Sequence, residues 1–233
     1  MSRAELKQQA KDSLKGKWGT AVAIVLVYSL IISAISLASA FIPGLGAVAS
    51  IIIVIPLEYG FIGQMMKFSR GEEVGICDFF KIGFDNFGKS WSIYGNKLLK
   101  LIVPIIMYVI TTVFMVGVIV AAIANSSVET FIVGALISTV LFLITYIFLI
   151  VKSYLYVIAE YIGNDSTDLD GKGVIEKSEK MMNGHRWEYF VLQLSFIGWA
   201  ILVAFTFGIG MLFLEPYMQV TTIKFYENLP KED

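Results

Sequence analysis

Two carboxylates interrupt stretches that are otherwise apolar. Glu58 lies in Pro56-Leu57-Glu58-Tyr59-Gly60, about 12 residues into a long apolar run, and Glu215 lies in Leu214-Glu215-Pro216-Tyr217. In a helix rising 1.5 Å per residue, Glu58 sits roughly 18 Å deep. A charge near a bilayer centre costs at least about 2.5–3.5 kcal/mol, so such a residue faces a protein interior or a cavity. Pro56 withholds one helical hydrogen bond and frees a carbonyl nearby. A broken helix beside a carboxylate suits ion or proton coupling or a ligand contact; the plainer alternative is a structural hydrogen bond to Tyr, Ser or Gln across a bundle. Glu215 repeats the arrangement nearer the opposite face, where water or a helix N-terminus would suit it. The candidate polar site is therefore Pro56, Glu58, Tyr59, Glu215 and Tyr217. Glu160, in Ala159-Glu160-Tyr161-Ile162-Gly163, reads as solvated.

Other chemistry finds little material. Cys77 is the single cysteine and His185 the single histidine, so neither a disulfide framework nor a Cys–His pair is expected. Asp165, Asp168, Asp170 and Glu176 have the composition of a calcium loop. Asp170, however, stands at the sixth position, where that loop needs Gly, and the tract reads as a solvated linker. Gly44-x-Gly46 and Gly208-x-Gly210 follow no strand and read as tight turns, not phosphate loops. No catalytic residue, metal or cofactor is expected, and the chain reads as a non-enzyme.

Composition says where these residues must live. Of 233 residues, 57% are hydrophobic and 16% charged, with a mean hydropathy of +0.74. Water-soluble domains carry about 25% charged residues, and a chain this size buries only roughly 70–75% of its surface. The expected class is an all-α membrane protein, and nucleic-acid binding is excluded. A bilayer crossing needs roughly 20 apolar residues. Candidate runs are 18–42, 47–66, 101–124, 130–151, 189–207 and 211–223, the last reaching a spanning length only if it continues to Tyr226. They group as three hairpins over about 18–66, 101–151 and 189–226 of a single membrane domain. The first run is too long for a cleaved signal sequence and reads as a retained anchor.

All 18 Lys and Arg fall before the first run, between the second and third, between the fourth and fifth, or after the sixth. The three opposite turns contain none. Positive residues stay cytoplasmic during insertion, so both termini are expected in the cytoplasm of a multi-pass cell-membrane protein, with an even number of crossings.

An internal repeat underlies this alternation. Leu14-Lys15-Gly16-Lys17-Trp18, Asn86-Phe87-Gly88-Lys89-Ser90-Trp91 and Asn183-Gly184-His185-Arg186-Trp187 each precede a hairpin. Upstream of each lies an amphipathic segment: Leu6, Ala10 and Leu14, with Ser2 as N-cap; Phe79, Phe80, Phe84 and Phe87; and Val174, Ile175, Ser178, Met181 and Met182. These segments are expected to lie in the membrane interface. Trp18, Trp91 and Trp187 would serve as anchors, and Lys17, Lys89, His185 and Arg186 as contacts for lipid phosphate. The Glu-Tyr motifs close each hairpin, 40, 69 and 28 residues after the Trp.

The block Ser178–Trp187, then Leu194-Ser195-Phe196-Ile197-Gly198-Trp199, Gly208-Ile209-Gly210, Glu215-Pro216-Tyr217 and Phe225-Tyr226 resembles a bacterial integral membrane family catalogued as domain of unknown function nine-seven-five. Glu5-Leu6-Lys7, Leu14 through Gly19 and Arg70-Gly71-Glu72 agree with it, while Phe213 stands where Trp is more usual. The resemblance implies a polytopic cytoplasmic-membrane protein and brings no catalytic residues. A more distant similarity is to the membrane domain of some glycerophosphodiester phosphodiesterases. The leading expectation is a non-enzymatic scaffold or regulatory and assembly protein whose partners are the bilayer and another membrane protein. The alternative is a small-solute, ion or lipid transporter using Glu58. The two differ in what Glu58 must face, a hydrogen-bond partner in the first case and a wet cavity in the second.

Overall fold

A computed structural model describes residues 2–41, 44–125 and 128–230. The described elements are helical: α1 (Arg3–Leu14), α2 (Trp18–Ala40), α3 (Leu45–Ser69), α4 (Asp78–Asp85), α5 (Phe87–Asn125), α6 (Val128–Ser153), a 3-10 turn (Tyr154–Tyr156), α7 (Ala159–Asp165), α8 (Gly171–Met182), α9 (Arg186–Leu194), α10 (Ile197–Phe205) and α11 (Met211–Glu227). The expected turn centres at Pro43 and at Ser126-Ser127 lie outside the described residues, as does Lys231. Five stretches are long and apolar enough to cross a membrane: Trp18–Ala40, Gly46–Ser69, Phe87–Ala124, Ile132–Asp165 and Arg186–Phe205. The sixth expected run falls in α11, whose 17 residues include Glu215 and Pro216.

The second half of α3 organises the head of the molecule. From Ile55 to Ser69 every residue is buried except Glu58 and Lys67, and a helix surrounded on all sides is a core helix. Glycine permits the approach of its neighbours. A Cβ on Gly60 would overlap the Phe79 carbonyl of α4, one on Gly83 would overlap the Pro56 carbonyl, and one on Gly63 would overlap Asn164 of α7. Gln64 fixes the α3–α4 loop: its Nε2 donates to the Gly75 carbonyl (2.5 Å) and its Oε1 accepts from the Phe79 amide (2.9 Å).

The expected interfacial helices are built as read but covered differently. Ser2 caps α1 in a reciprocal capping box with Glu5, yet Leu6, Ala10 and Leu14 are buried on a helix that packs against α11. The apolar face of α8 is likewise buried. Protein, not lipid, covers both faces, because α5, α7 and α11 supply apolar partners. Of the α4 phenylalanines only Phe79 is buried, and Phe80 and Phe84 remain exposed.

The arm formed by α5 and α6 has the opposite character. At 39 residues α5 is about 58 Å long, well beyond the roughly 30 Å of a hydrocarbon core. Its first turns pack in the head, where Ser90 and Ile93 are buried. From Ile105 to Ala121 no residue is buried. Its seam with α6 mixes hydroxyl, aromatic and small residues: the Thr111 and Thr145 hydroxyls are 2.8 Å apart, Tyr108 packs on Phe142 and Tyr146, and Gly134 faces Val118. Partner numbers fall along α6 as they rise along α5, so the two helices are antiparallel. Gly117, on the outer side of the arm, has open space around it.

Gly60→Val is therefore expected to force α3 from α4 and cost about 1–3 kcal/mol, lowering the unfolding midpoint in detergent. Gly117→Val should leave the midpoint close to wild type in the same measurement.

Candidate functional site

The carboxylates of the three Glu-Tyr motifs lie in electrostatic reach of one tyrosine, Tyr161. Glu58 comes from α3, Glu160 from α7 and Glu215 from α11. Lys97, from the first turns of α5, donates to Glu160 at 2.8 Å and is in electrostatic reach of Glu58. Gln219 donates to Glu215 at 3.0 Å, and the Tyr161 hydroxyl donates to Gln219 at 3.2 Å. Tyr161 is buried and in electrostatic reach of all three carboxylates. Tyr28 of α2, stacked on Phe61 at 4.3 Å, lies near Glu58 and Glu215.

Pairing inside this cluster is uneven. Glu160 has Lys97, and Glu215 has the amide of Gln219, the kind of structural bond expected for Glu58. Among the described residues Glu58 makes no side-chain hydrogen bond or ion pair, and it is exposed on a helix otherwise closed around it. Glu58 lies midway along the apolar stretch Gly46–Ser69. Glu160, expected to be solvated, is instead half-buried in its ion pair. The arrangement offers one accessible carboxylate beside a compensated pair, able to hold a proton or a small cation.

The remaining candidates divide around this cluster. Pro56 is buried with its carbonyl against Gly83, whereas Tyr59 stays with the cluster, buried in electrostatic reach of Glu160 with its own carbonyl accepting from Asn164 at 3.2 Å. Tyr217 points away, edge-on to Phe196 at 5.5 Å with the Lys11 ammonium 6.0 Å above its ring. Glu215, the fifth residue of α11, lies beyond the first turn and caps nothing. Lys97, Gln219 and Tyr28 carried no signal of their own in the sequence, whereas Tyr161 is the tyrosine of the second Glu-Tyr motif.

The expected anchors also diverge. Trp18 is half-buried against the core, the Trp91 indole nitrogen is enclosed without a partner, and Trp187 is 70% exposed. Lys89 donates to the Ser166 carbonyl, Lys17 lies 3.5 Å from the Gly71 carbonyl, and His185 meets Glu188 at 3.0 Å. Arg186 remains open beside a cleft. Asp170 caps α8 through the Gly173 amide, and no metal-holding group of His, Cys, Asp and Glu occurs among the described residues.

A second polar assembly ties three helix ends together. Arg70, capping α3, grips Asp165 of α7 through two bonds of 2.7 and 2.9 Å and Glu227 of α11 at 2.9 Å. The Tyr226 hydroxyl donates to Asp165 and Lys224 donates to Glu227. Burial pushes the Glu227 carboxyl up, but hydrogen bonds from Lys224 and Arg70 outweigh it and hold the group below its ordinary value. The paired carboxylates raise Arg70 further.

An all-helical chain with five apolar helices of spanning length is suited to a multi-pass membrane protein. The family model described as protein of unknown function DUF975 matches residues 1–233, and the chain belongs to that family. No curated protein and no solved structure matches it.

Two outcomes are expected here. Lys97→Met strands Glu160 beside Glu58 and should cost about 1–3 kcal/mol, since the pair is only partly shielded from water. Adding Glu160→Gln should restore much of that loss in a thermal unfolding series. Because the Glu227 carboxyl is depressed, the stability it contributes is complete above its ordinary value of 4.5 and is lost as pH falls through the folded value. Wild type should therefore lose stability on acidification below that point more steeply than Glu227→Gln.

Proposed function

We propose that the protein is a multi-pass cytoplasmic-membrane protein with both termini in the cytoplasm, working without catalysis as a scaffold or assembly factor for another membrane protein. Its basic residues gather on the head side of the apolar helices, which supports that sidedness. Six crossings then follow, with α11 making the last over 211–223 and shielded by α1, α2 and α3.

One observation carries the scaffold reading. The α5–α6 arm holds the Thr111 and Thr145 hydroxyls, Gly134 and the Tyr108, Phe142 and Tyr146 rings in its own seam and leaves large apolar side chains such as Val113, Val116, Leu136 and Ile144 exposed. Small and polar contacts hold helices together in lipid, and the outer face is left for lipid or for a helix of another protein. A photo-reactive residue at Val113 or Leu136 in native membranes should yield one discrete protein adduct from one side of the arm. Lipid adducts alone at every position would overturn the reading.

A second reading has its own support. Glu58 is exposed and unbonded, which fits proton- or ion-coupled transport better than a purely packed role. In proteoliposomes this reading expects a pH-dependent flux that Glu58→Gln abolishes without unfolding the protein. Flux unchanged by that substitution would remove it.

A further inference from the structure

We propose that the cleft between α6, α8 and α9 binds the phosphate of an anionic glycerophospholipid, with one acyl chain lying in the adjoining apolar groove. Three cations from three helices converge there: Lys152 at the end of α6, Lys180 on α8 and Arg186 opening α9, around a cleft of about 300 Å³ that Asn183 also lines. No ion pair neutralises any of the three among the described residues. The one carboxylate lining the cleft, Glu179, is occupied by Lys100 at 3.2 Å, and nearby Glu188 is occupied by His185.

Arg186 also borders a second cavity, of about 590 Å³, with a different lining: Ile147, Ile150, Val151, Tyr154, Trp187 and Phe190. Its aromatic floor is fixed by packing, with Trp187 5.1 Å and Tyr154 6.4 Å from the Phe190 ring. From Ile147 to Lys152 the wall changes from apolar to cationic over five residues, about 7 Å along the helix. That is the order of groups in a phospholipid at a membrane surface, acyl chain first and phosphate next. A water-borne anion would have no use for the groove, and an uncharged lipid none for the cations. Basic pockets between helices at the membrane surface are suited to anionic headgroups. The sequence pointed to Arg186 alone; the fold adds Lys152 and Lys180, 34 and 6 residues away, and the groove beside them.

Native mass spectrometry of the full chain in detergent, with dioleoyl phosphatidylglycerol or dioleoyl phosphatidylcholine added, reads this directly. Wild type should retain the anionic lipid at least about tenfold better, and Lys152→Gln/Lys180→Gln/Arg186→Gln should bring the two lipids to near equality. The control Lys67→Gln/Lys81→Gln/Lys172→Gln should keep the preference. An equal loss in the control, or no loss in the cleft variant, overturns the proposal. Arg186→Gln alone carries the test if the triple variant does not fold: a fall of about threefold supports the site and none overturns it. Glycerol 3-phosphate displacing the lipid at equal concentration would also overturn it, because the groove would then contribute nothing.

Discussion

The close approach of α4 and α7 to the buried half of α3 is what the other elements depend on. It exists because Gly60, Gly63 and Gly83 place backbone where any other residue would place a side chain. With those crossings in place, Gln64 can reach the α3–α4 loop, Asn164 can reach the Tyr59 carbonyl, and Arg70 can bridge to α7 and α11. Interiors are packed densely enough that even one added methyl group is felt. The same crossings set the distance between Glu58 and the Lys97–Glu160 pair, so the geometry of the polar cluster follows from the glycines.

Around this head the chain solves two solvent problems at once. Charged and amphipathic segments fold inward on themselves, and α1 and α8 give their apolar faces to protein. The α5–α6 arm reverses the pattern, with hydroxyls and a glycine inside and aliphatic side chains outside. In water that exposed surface would be strongly unfavourable, at about 25 cal/mol for each Å² of apolar area. In lipid it costs nothing, and the Thr111–Thr145 pair keeps the two helices in register.

Much of this was legible in the residues. The spacing of Leu6, Ala10 and Leu14 located α1, Ser2 capped it, and the apolar runs located the long helices. The repeat identified Glu58, Glu160 and Glu215 as equivalent, although it did not say that Tyr161 lies in electrostatic reach of all three. What stayed hidden were contacts across long sequence separations, because periodicity reports which face is apolar and not what covers it. Hence α1 and α8 read as membrane-surface helices and Glu160 as solvated. Lys97, 39 residues from Glu58 in the chain, belonged by pattern to a surface loop. Short helices also resist such reading: the break between α9 and α10 leaves apolar composition unchanged, and Lys7 caps it from a distance by donating to the Ser195 carbonyl at 2.9 Å.

Sidedness is where the account is most exposed, and the lone thiol makes it measurable. Cys77 is exposed, and Ile209 lies in the turn joining α10 to α11, which the proposed six crossings put on the opposite face of the membrane. A membrane-impermeant maleimide applied to intact cells should leave Cys77 unlabelled until the membrane is opened. In a Cys77→Ser background it should label Ile209→Cys at once. Labelling of both thiols from the same side would contradict a cytoplasmic head reached by an even number of crossings.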